Sequence, residues 1–289
     1  MKLKFGFIIG IVMVTVANAQ TKAPEPNPGA LSVVPEAIQS KKFTGQSVAI
    51  IYDIPTGTQT RVSLDGDDPT LSDYGEPPMN GARFDIPVVP GDPSFPRIEF
   101  DNGAVFCSST VIGPRQLLTA GHCVYDGGSF RRNAVVYPGY SDGKPSPTIG
   151  SFVARRLIAF SGWTEGHDYA HDVAMIELDR DLPPAIQKYA IQQNRPNCQI
   201  VNGFDRHFYL EGNNDQLMNQ SMSYIGCKGN QVFFFIGNGH GSSGSSSVVP
   251  GTKSIFAVRS NFFGSVGYDT WITPAKRCFL TGRAGTPSC

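Results

Sequence analysis

A histidine set among small residues at a strand end is a base held in place yet open to a reactant. His122 stands in such a setting, in the run Leu118-Thr119-Ala120-Gly121-His122-Cys123. Its imidazole can take and return a proton near neutral pH. The residues from Phe106 to Ile112 read as a strand, Gly113-Pro114 as a turn, and residues 116–119 as a returning strand. A hairpin of this kind brings Cys107 close to Cys123, and a disulfide between them clamps the loop that carries His122. A lone histidine serves structure more often than catalysis, so the surrounding residues decide its meaning.

The run resembles the histidine motif of the chymotrypsin-like serine peptidases, and the two cysteines match the disulfide that brackets that histidine. The resemblance implies an aspartate opening a buried strand and then a serine in a Gly-x-Ser-Gly turn, in that order. Asp172 directly precedes the apolar run Val173-Ala174-Met175-Ile176-Glu177-Leu178. Asp168 is a rival, but Tyr169-Ala170-His171 does not carry it into a strand. Ser243 fits the turn in Gly239-His240-Gly241-Ser242-Ser243-Gly244-Ser245, whereas Ser245 and Ser246 lack a glycine on both required sides. By this resemblance His122 is the base, Asp172 orients it, and Ser243 is the nucleophile. The N–H groups of Gly241 and Ser243 form the oxyanion hole. The implied reaction is peptide-bond hydrolysis through an acyl-enzyme, with polypeptide substrates and neither metal nor organic cofactor. The family also holds inactive, peptidase-like binding modules. The intact His122, Asp172 and Ser243 favour the enzyme.

The serine turn departs from the trypsin pattern. Ser242 stands where trypsin-like members carry aspartate, so a freed N-terminus lacks its usual partner. Gly237 stands at the position that selects basic side chains, so cleavage after Lys or Arg is not supported. Gly241-Ser242-Ser243-Gly244-Ser245 is closer to the bacterial glutamyl-endopeptidase branch, as is Val136-Tyr137-Pro138-Gly139-Tyr140. In that branch a histidine on the strand after the serine helps bind an acidic side chain. Arg259 falls at that position, and with Ser260 and Asn261 it forms the expected substrate-binding segment. A guanidinium in a partly buried pocket suits a carboxylate as a fixed charge. The expectation is cleavage after Glu or Asp. The resemblance covers about residues 97–274.

These residues need rigid strands to position them. Short β-branched and aromatic runs recur from residue 97 onward, at 104–112, 134–137, 173–178, 232–236 and 254–258. Such spacing suggests a sandwich or barrel. The resemblance sharpens this to an all-β fold of two Greek-key six-stranded β-barrels with a short C-terminal helix. Residues 97–185 form the first barrel with His122 and Asp172, and residues 186–289 the second barrel with Ser243 and the tail. Before them, residues 20–96 read as a pro-region or a permanent N-terminal extension. A strand pair at 47–52 and 59–64 lies within it, and seven prolines between 65 and 96 suggest a linker. Lys42 and Arg83 are candidate processing points.

The first residues belong to no fold. A basic head at Lys2 and Lys4, an apolar run over 5–16 and Ala17-Asn18-Ala19 make a secretory signal spanning residues 1–19. The expected protein is secreted, extracellular and free of stable membrane association. In that oxidising setting the six cysteines, Cys107, Cys123, Cys198, Cys227, Cys278 and Cys289, are read as disulfides. Sequence proximity adds Cys198–Cys227 and Cys278–Cys289 to the hairpin pair, although spacing alone does not choose. Lys and Arg number 24 against 24 Asp and Glu, and this balance argues against a nucleic-acid partner. A monomer is expected. Glu165, His167 and His171 imitate a metal site, but Gly162 and Gly166 make their segment a loop. Asn219-Gln220-Ser221 is an N-glycosylation sequon, meaningful mainly in a eukaryotic secretory path.

Overall fold

Apolar residues alternating with polar ones, punctuated by tight turns, fold here into two closed sheets. A computed structural model describes residues 43–64, 66–67, 89–192, 203–212, 216–222, 224–235, 239–263 and 266–283. The signal segment, Lys42, Arg83, Cys198, Gly237 and Cys289 lie outside the described residues. Among the described residues, no helix is long and apolar enough to cross a membrane.

The first sheet holds β1 (Val48–Asp53), β2 (Thr58–Ser63), β3 (Arg97–Phe100), β4 (Val105–Ser108), β5 (Thr110–Val111) and β6 (Gln116–Thr119). After a small hairpin of β7 (Tyr125–Asp126) and β8 (Ser129–Phe130), it continues with β9 (Val135–Tyr137), β10 (Phe152–Phe160) and β11 (Ala174–Leu178). The order is β4-β3-β9-β10-β11-β6-β5. Because β4 and β5 are two halves of one bent strand, the ring closes as a barrel of six. The second sheet holds β12 (Ala190–Ile191), β13 (Phe204–Tyr209), β14 (Leu217–Met222), β15 (Tyr224–Lys228), β16 (Gln231–Phe235), β17 (Ser246–Val248), β18 (Ser254–Phe263) and β19 (Val266–Trp271). Its order is β14-β13-β17-β18-β19-β16-β15, closed in the same way through β14 and β15. Closure leaves few free strand edges. The structure is thus all-β with two barrels and one longer helix, α3 (Pro274–Arg283), at the end.

Burial follows from these neighbours. Ala174, Met175, Ile176 and Leu178 of β11 are at most 1% exposed, because β10 and β6 flank the strand. Residues 157–160 of β10 are buried on both faces, whereas Val153 earlier in the strand is exposed. On that later stretch β1 pairs antiparallel, from Ala49 opposite Phe160 to Asp53 opposite Arg156, and Phe279 of α3 meets Phe160 edge-on.

The β1–β2 hairpin comes from the segment read as a pro-region or extension, and it extends the first sheet. A barrel boundary at residue 97 leaves this hairpin out. Val48, Ala49, Ile50 and Ile51 sit in the main hydrophobic core. The segment is also tied down by charge. Asp67 accepts from Thr273 Oγ1 at 2.5 Å and from the Ser47 hydroxyl. Its carboxylate lies 3.3 Å from Lys276 Nζ, with both side chains fully buried. Lys276 Nζ donates in turn to His171 Nδ1 at 2.9 Å. Phe43 N donates to Asp168 Oδ2 at 3.1 Å. The hairpin therefore closes over the turn that ends at Asp172.

Two outcomes follow from this clamp. Asp67→Ala strands the buried Lys276 cation, so urea unfolding should show a loss of about 3–5 kcal/mol. His171 has its pKa pulled down from 6.5 to about 3, first by burial and then by Lys276, with Asp67 opposing. The unfolded chain takes a proton there that the folded chain refuses. Stability is therefore full above the unfolded value and falls as pH drops below it, by about 2 kcal/mol at about pH 5. The urea midpoints of His171→Gln, measured at about pH 7.5 and about pH 5, should lie closer together than those of the unaltered protein.

Candidate active site

His122 and Asp172 come from neighbouring antiparallel strands of the first barrel, one following β6 and the other preceding β11. β6 ends at Thr119, and one helical turn, α1 (Gly121–Val124), then carries His122. The Cys107–Cys123 disulfide joins β4 to this turn, with Cα atoms 6.2 Å apart. Asp172 follows the turn Tyr169–His171 and stands one residue before β11, which pairs with β6. That pairing brings the two residues together across 50 positions of chain. His122 Nδ1 lies 2.7 Å from Asp172 Oδ2, and the His122 backbone N–H donates to Asp172 Oδ1 at 2.7 Å. Gly121 is required by this closeness: a Cβ there would lie 2.9 Å from Asp172 Oδ1 and 2.9 Å from the Trp163 ring. Trp163, on the single helical turn α2 (Ser161–Thr164), packs edge-on to the imidazole and donates from Nε1 to Tyr125 O at 2.9 Å.

Asp172 is fully buried, and His122 is 27% exposed. A buried carboxylate is costly unless its lone pairs are filled. The second barrel supplies a further donor, for Ser260 Oγ donates to Asp172 Oδ2 at 2.5 Å. With Nδ1–H held by Asp172, Nε2 is the imidazole nitrogen left to act as a base. Asp168, the rival carboxylate, instead accepts from Ala170 N at 2.9 Å and from Phe43 N, capping the turn.

Ser243 lies in a turn from the second barrel that is locked onto the first. Ser243 O accepts from Ser108 N at 2.8 Å, and Gly241 O accepts from Ser108 Oγ at 2.8 Å. Gly241 and Gly244 have φ of +95° and +81°, the left-handed region that suits glycine. Each also sits where a side chain has no room. A Cβ at Gly244 would lie 2.1 Å from Thr119 Oγ1 and 3.1 Å from Ala120 N, and one at Gly241 would strike the Phe106 ring at 2.3 Å. The turn thus abuts the strand end that leads into His122. Among the described residues, the N–H groups of Gly241 and Ser243 donate to no acceptor, and no hydrogen bond joins Ser243 Oγ to His122. The nucleophile–base contact of such sites is commonly loose before substrate arrives.

The expected substrate segment lies on β18 beside this turn. Gly244 N donates to Arg259 O at 2.9 Å, and Arg259 N donates to Ser245 O at 2.8 Å. Arg259 was expected in a partly buried pocket and is 1% exposed. Its Nη1 donates to Asn261 O and, at 3.4 Å, to Tyr268 O. Ser260 turns its hydroxyl to Asp172, so any substrate contact falls to its backbone. Asn261 is half-buried.

The metal-like trio is engaged elsewhere. Glu165 pairs with Arg61 at 2.6 Å, His171 is bonded by Lys276, and His167 packs against Trp163. Cys107, His122 and Cys123 lie within 4.8 Å of one another, but both sulfurs are joined in the disulfide, leaving one imidazole. Cys227 and Cys278 are each disulfide-bonded. The Asn219 sequon falls inside β14, with Asn219 opposite His207.

Sequence reasoning missed the charges inside the second barrel. Arg206 donates to the Asp269 carboxylate and, at 2.8 Å, to Ser247 Oγ, while Ser247 Oγ also donates to Asp269. Arg206 and Asp269 are both fully buried. A signal did exist: Phe204, Arg206 and Phe208 share one face of β13, and both phenylalanines are buried.

Known proteins share the two-barrel fold. The trypsin family model matches residues 92–260, more than half of the chain. A glutamyl endopeptidase of Bacillus licheniformis is 40% identical over 78 residues, which span 26% of this chain and 24% of that protein. Among solved structures, a Glu endopeptidase in complex with MPD has a TM-score of 0.59 at 24% identity, covering 69% of this chain and 93% of its own. The protease Anisep from Arthrobacter nicotinovorans gives 0.57 at 20% identity, covering 64% and 92%. A histidine and an aspartate joined beside a locked Gly-x-Ser-Gly turn, on two six-stranded barrels, place the chain in the trypsin family of serine peptidases.

Proposed function

We propose that the chain is a secreted serine endopeptidase that cleaves peptide bonds after acidic residues. The observation that carries the reading is the buried Asp172 carboxylate bonded to His122 Nδ1, beside a glycine turn that presents Ser243. His122 Nε2 takes the Ser243 proton as Oγ attacks the substrate carbonyl. Asp172 holds the ring and stabilises the imidazolium that forms. The N–H groups of Gly241 and Ser243 receive the oxyanion, each contributing roughly 3 kcal/mol. His122 then gives its proton to the leaving amine, and water releases the acyl group by the reverse sequence. The protein acts as a monomer on polypeptides outside the cell, after removal of residues 1–19, and uses no cofactor.

The acidic preference is supported by Arg259, a cation next to the serine turn. Burial and then Arg206 lower its pKa to about 9, with Asp269 opposing, so it remains charged at neutral pH. The partial match to a glutamyl endopeptidase points the same way.

The test is made on secreted, processed protein. A fluorophosphonate should label Ser243, and Ser243→Ala should take no label. A peptide-library digest should show cuts enriched after Glu and Asp; label without that enrichment leaves the peptidase and removes the preference. Asp172→Asn should keep the fold by near-UV circular dichroism and lower kcat by about ten-thousand-fold. A loss under tenfold would remove Asp172 from its role.

A further inference from the structure

Among the described residues, the interior of the second barrel holds two buried arginines and one buried aspartate. Arg206 on β13, Arg259 on β18 and Asp269 on β19 are each at most 1% exposed. Two guanidinium groups thus face one carboxylate in a space lined by Phe234, which lies under both cations at 4.4 and 5.0 Å. An uncompensated buried cation is expensive, so proteins pair it or reserve it for an anion.

The bonds decide which arginine is paired. Arg206 makes the ion pair with Asp269, and Ser247 Oγ bridges the two. Among the described residues, Arg259 makes no ion pair with Asp269, although their backbones face each other across β18 and β19. The Arg259 Nη1 bonds go to main-chain carbonyls, and among the described residues its Nη2 has no hydrogen-bond partner. Arg259 also adjoins the serine turn, since its backbone bonds both Gly244 and Ser245. Its guanidinium lies 5.8 Å from the ring of Phe262, which is 41% exposed and packs edge-on to His240 of the serine turn. It therefore lies behind the exposed Phe262 ring, which meets His240 of the serine turn.

We propose that Arg206 is a specificity-determining positioning residue: by taking the Asp269 carboxylate, it leaves Arg259 as the surplus cation that receives an acidic substrate side chain. The inference rests on the acidic reading above and adds the internal counter-ion arrangement that makes Arg259 available. Without Arg206, the nearest anion for Arg259 is Asp269, and the pocket becomes electrically neutral.

The test compares kcat/KM for matched peptides with Glu or Gln before the cut, each rate expressed per fluorophosphonate-labelled site. Arg206→Met should lower the Glu/Gln ratio at least tenfold, mainly through KM for the Glu peptide, and Arg206→Lys should restore most of it. The double variant Arg206→Met with Asp269→Asn removes the pair together and should keep the ratio. A ratio lost equally in the single and double variants overturns the charge assignment in favour of a packing role. If Arg206→Met yields no labelled sites, Asp269→Asn carries the test: it keeps both cations and must hold or raise the ratio, and a fall overturns the inference. An unaltered enzyme with a ratio near one overturns the acidic reading and this inference with it. A high ratio that survives Arg206→Met overturns this inference alone.

Discussion

One carboxylate shut away from water sets the terms for the site. Asp172 is fully buried, and an ion there is tolerated only if donors replace its hydration. It has those donors: the ring and backbone N–H of His122 and the hydroxyl of Ser260. Each of them is also a placement. The His122 bonds fix which imidazole nitrogen stays free, and the Ser260 bond fastens the first barrel to the second. A site assembled from two domains needs such fastening, because small displacements of reacting groups are costly.

The fastening is reciprocal. Ser108 of the first barrel holds the carbonyls of Gly241 and Ser243, and its hydroxyl accepts from Tyr209 N at 2.9 Å. Thr270 of the second barrel donates to Tyr169 O at 2.6 Å, in the turn that delivers Asp172. Each half of the site is therefore held by the other barrel. The β1–β2 hairpin, Asp67 and Lys276 brace the same turn from behind. A segment with the composition of a disposable leader thus contributes to the support of Asp172. The second barrel stores its own polar cluster in Arg206, Asp269 and Arg259, close behind Ser243.

What could be read in the chain was what is local. The His122 run, the Gly-x-Ser-Gly turn and the strand after Asp172 are short stretches whose residue types state their conformation. The Cys107–Cys123 bond was legible because a hairpin joins its ends. Long-range pairing was not. Residues 47–52 read correctly as a strand, but nothing in them names β10 as the partner, about a hundred positions on. Depth was also hidden. The strand that carries Arg259 is legible in the sequence, while its burial involves Phe234, which comes from β16 and lies under the guanidinium. Arg206 and Asp269 are hard to read as buried from the sequence, because charged residues are mostly exposed. Ser260 lies in the segment expected to meet substrate, and its hydroxyl serves Asp172.

The account depends on the proton between His122 and Asp172 being held out of water. Proton NMR of the folded protein, with the histidine ring nitrogens labelled with nitrogen-15, observes it directly. The account predicts a proton resonance well downfield of the amide region, coupled to His122 Nδ1, protected from solvent exchange and absent in Asp172→Asn. A fast-exchanging ring proton, or a downfield signal that persists in Asp172→Asn, would contradict it.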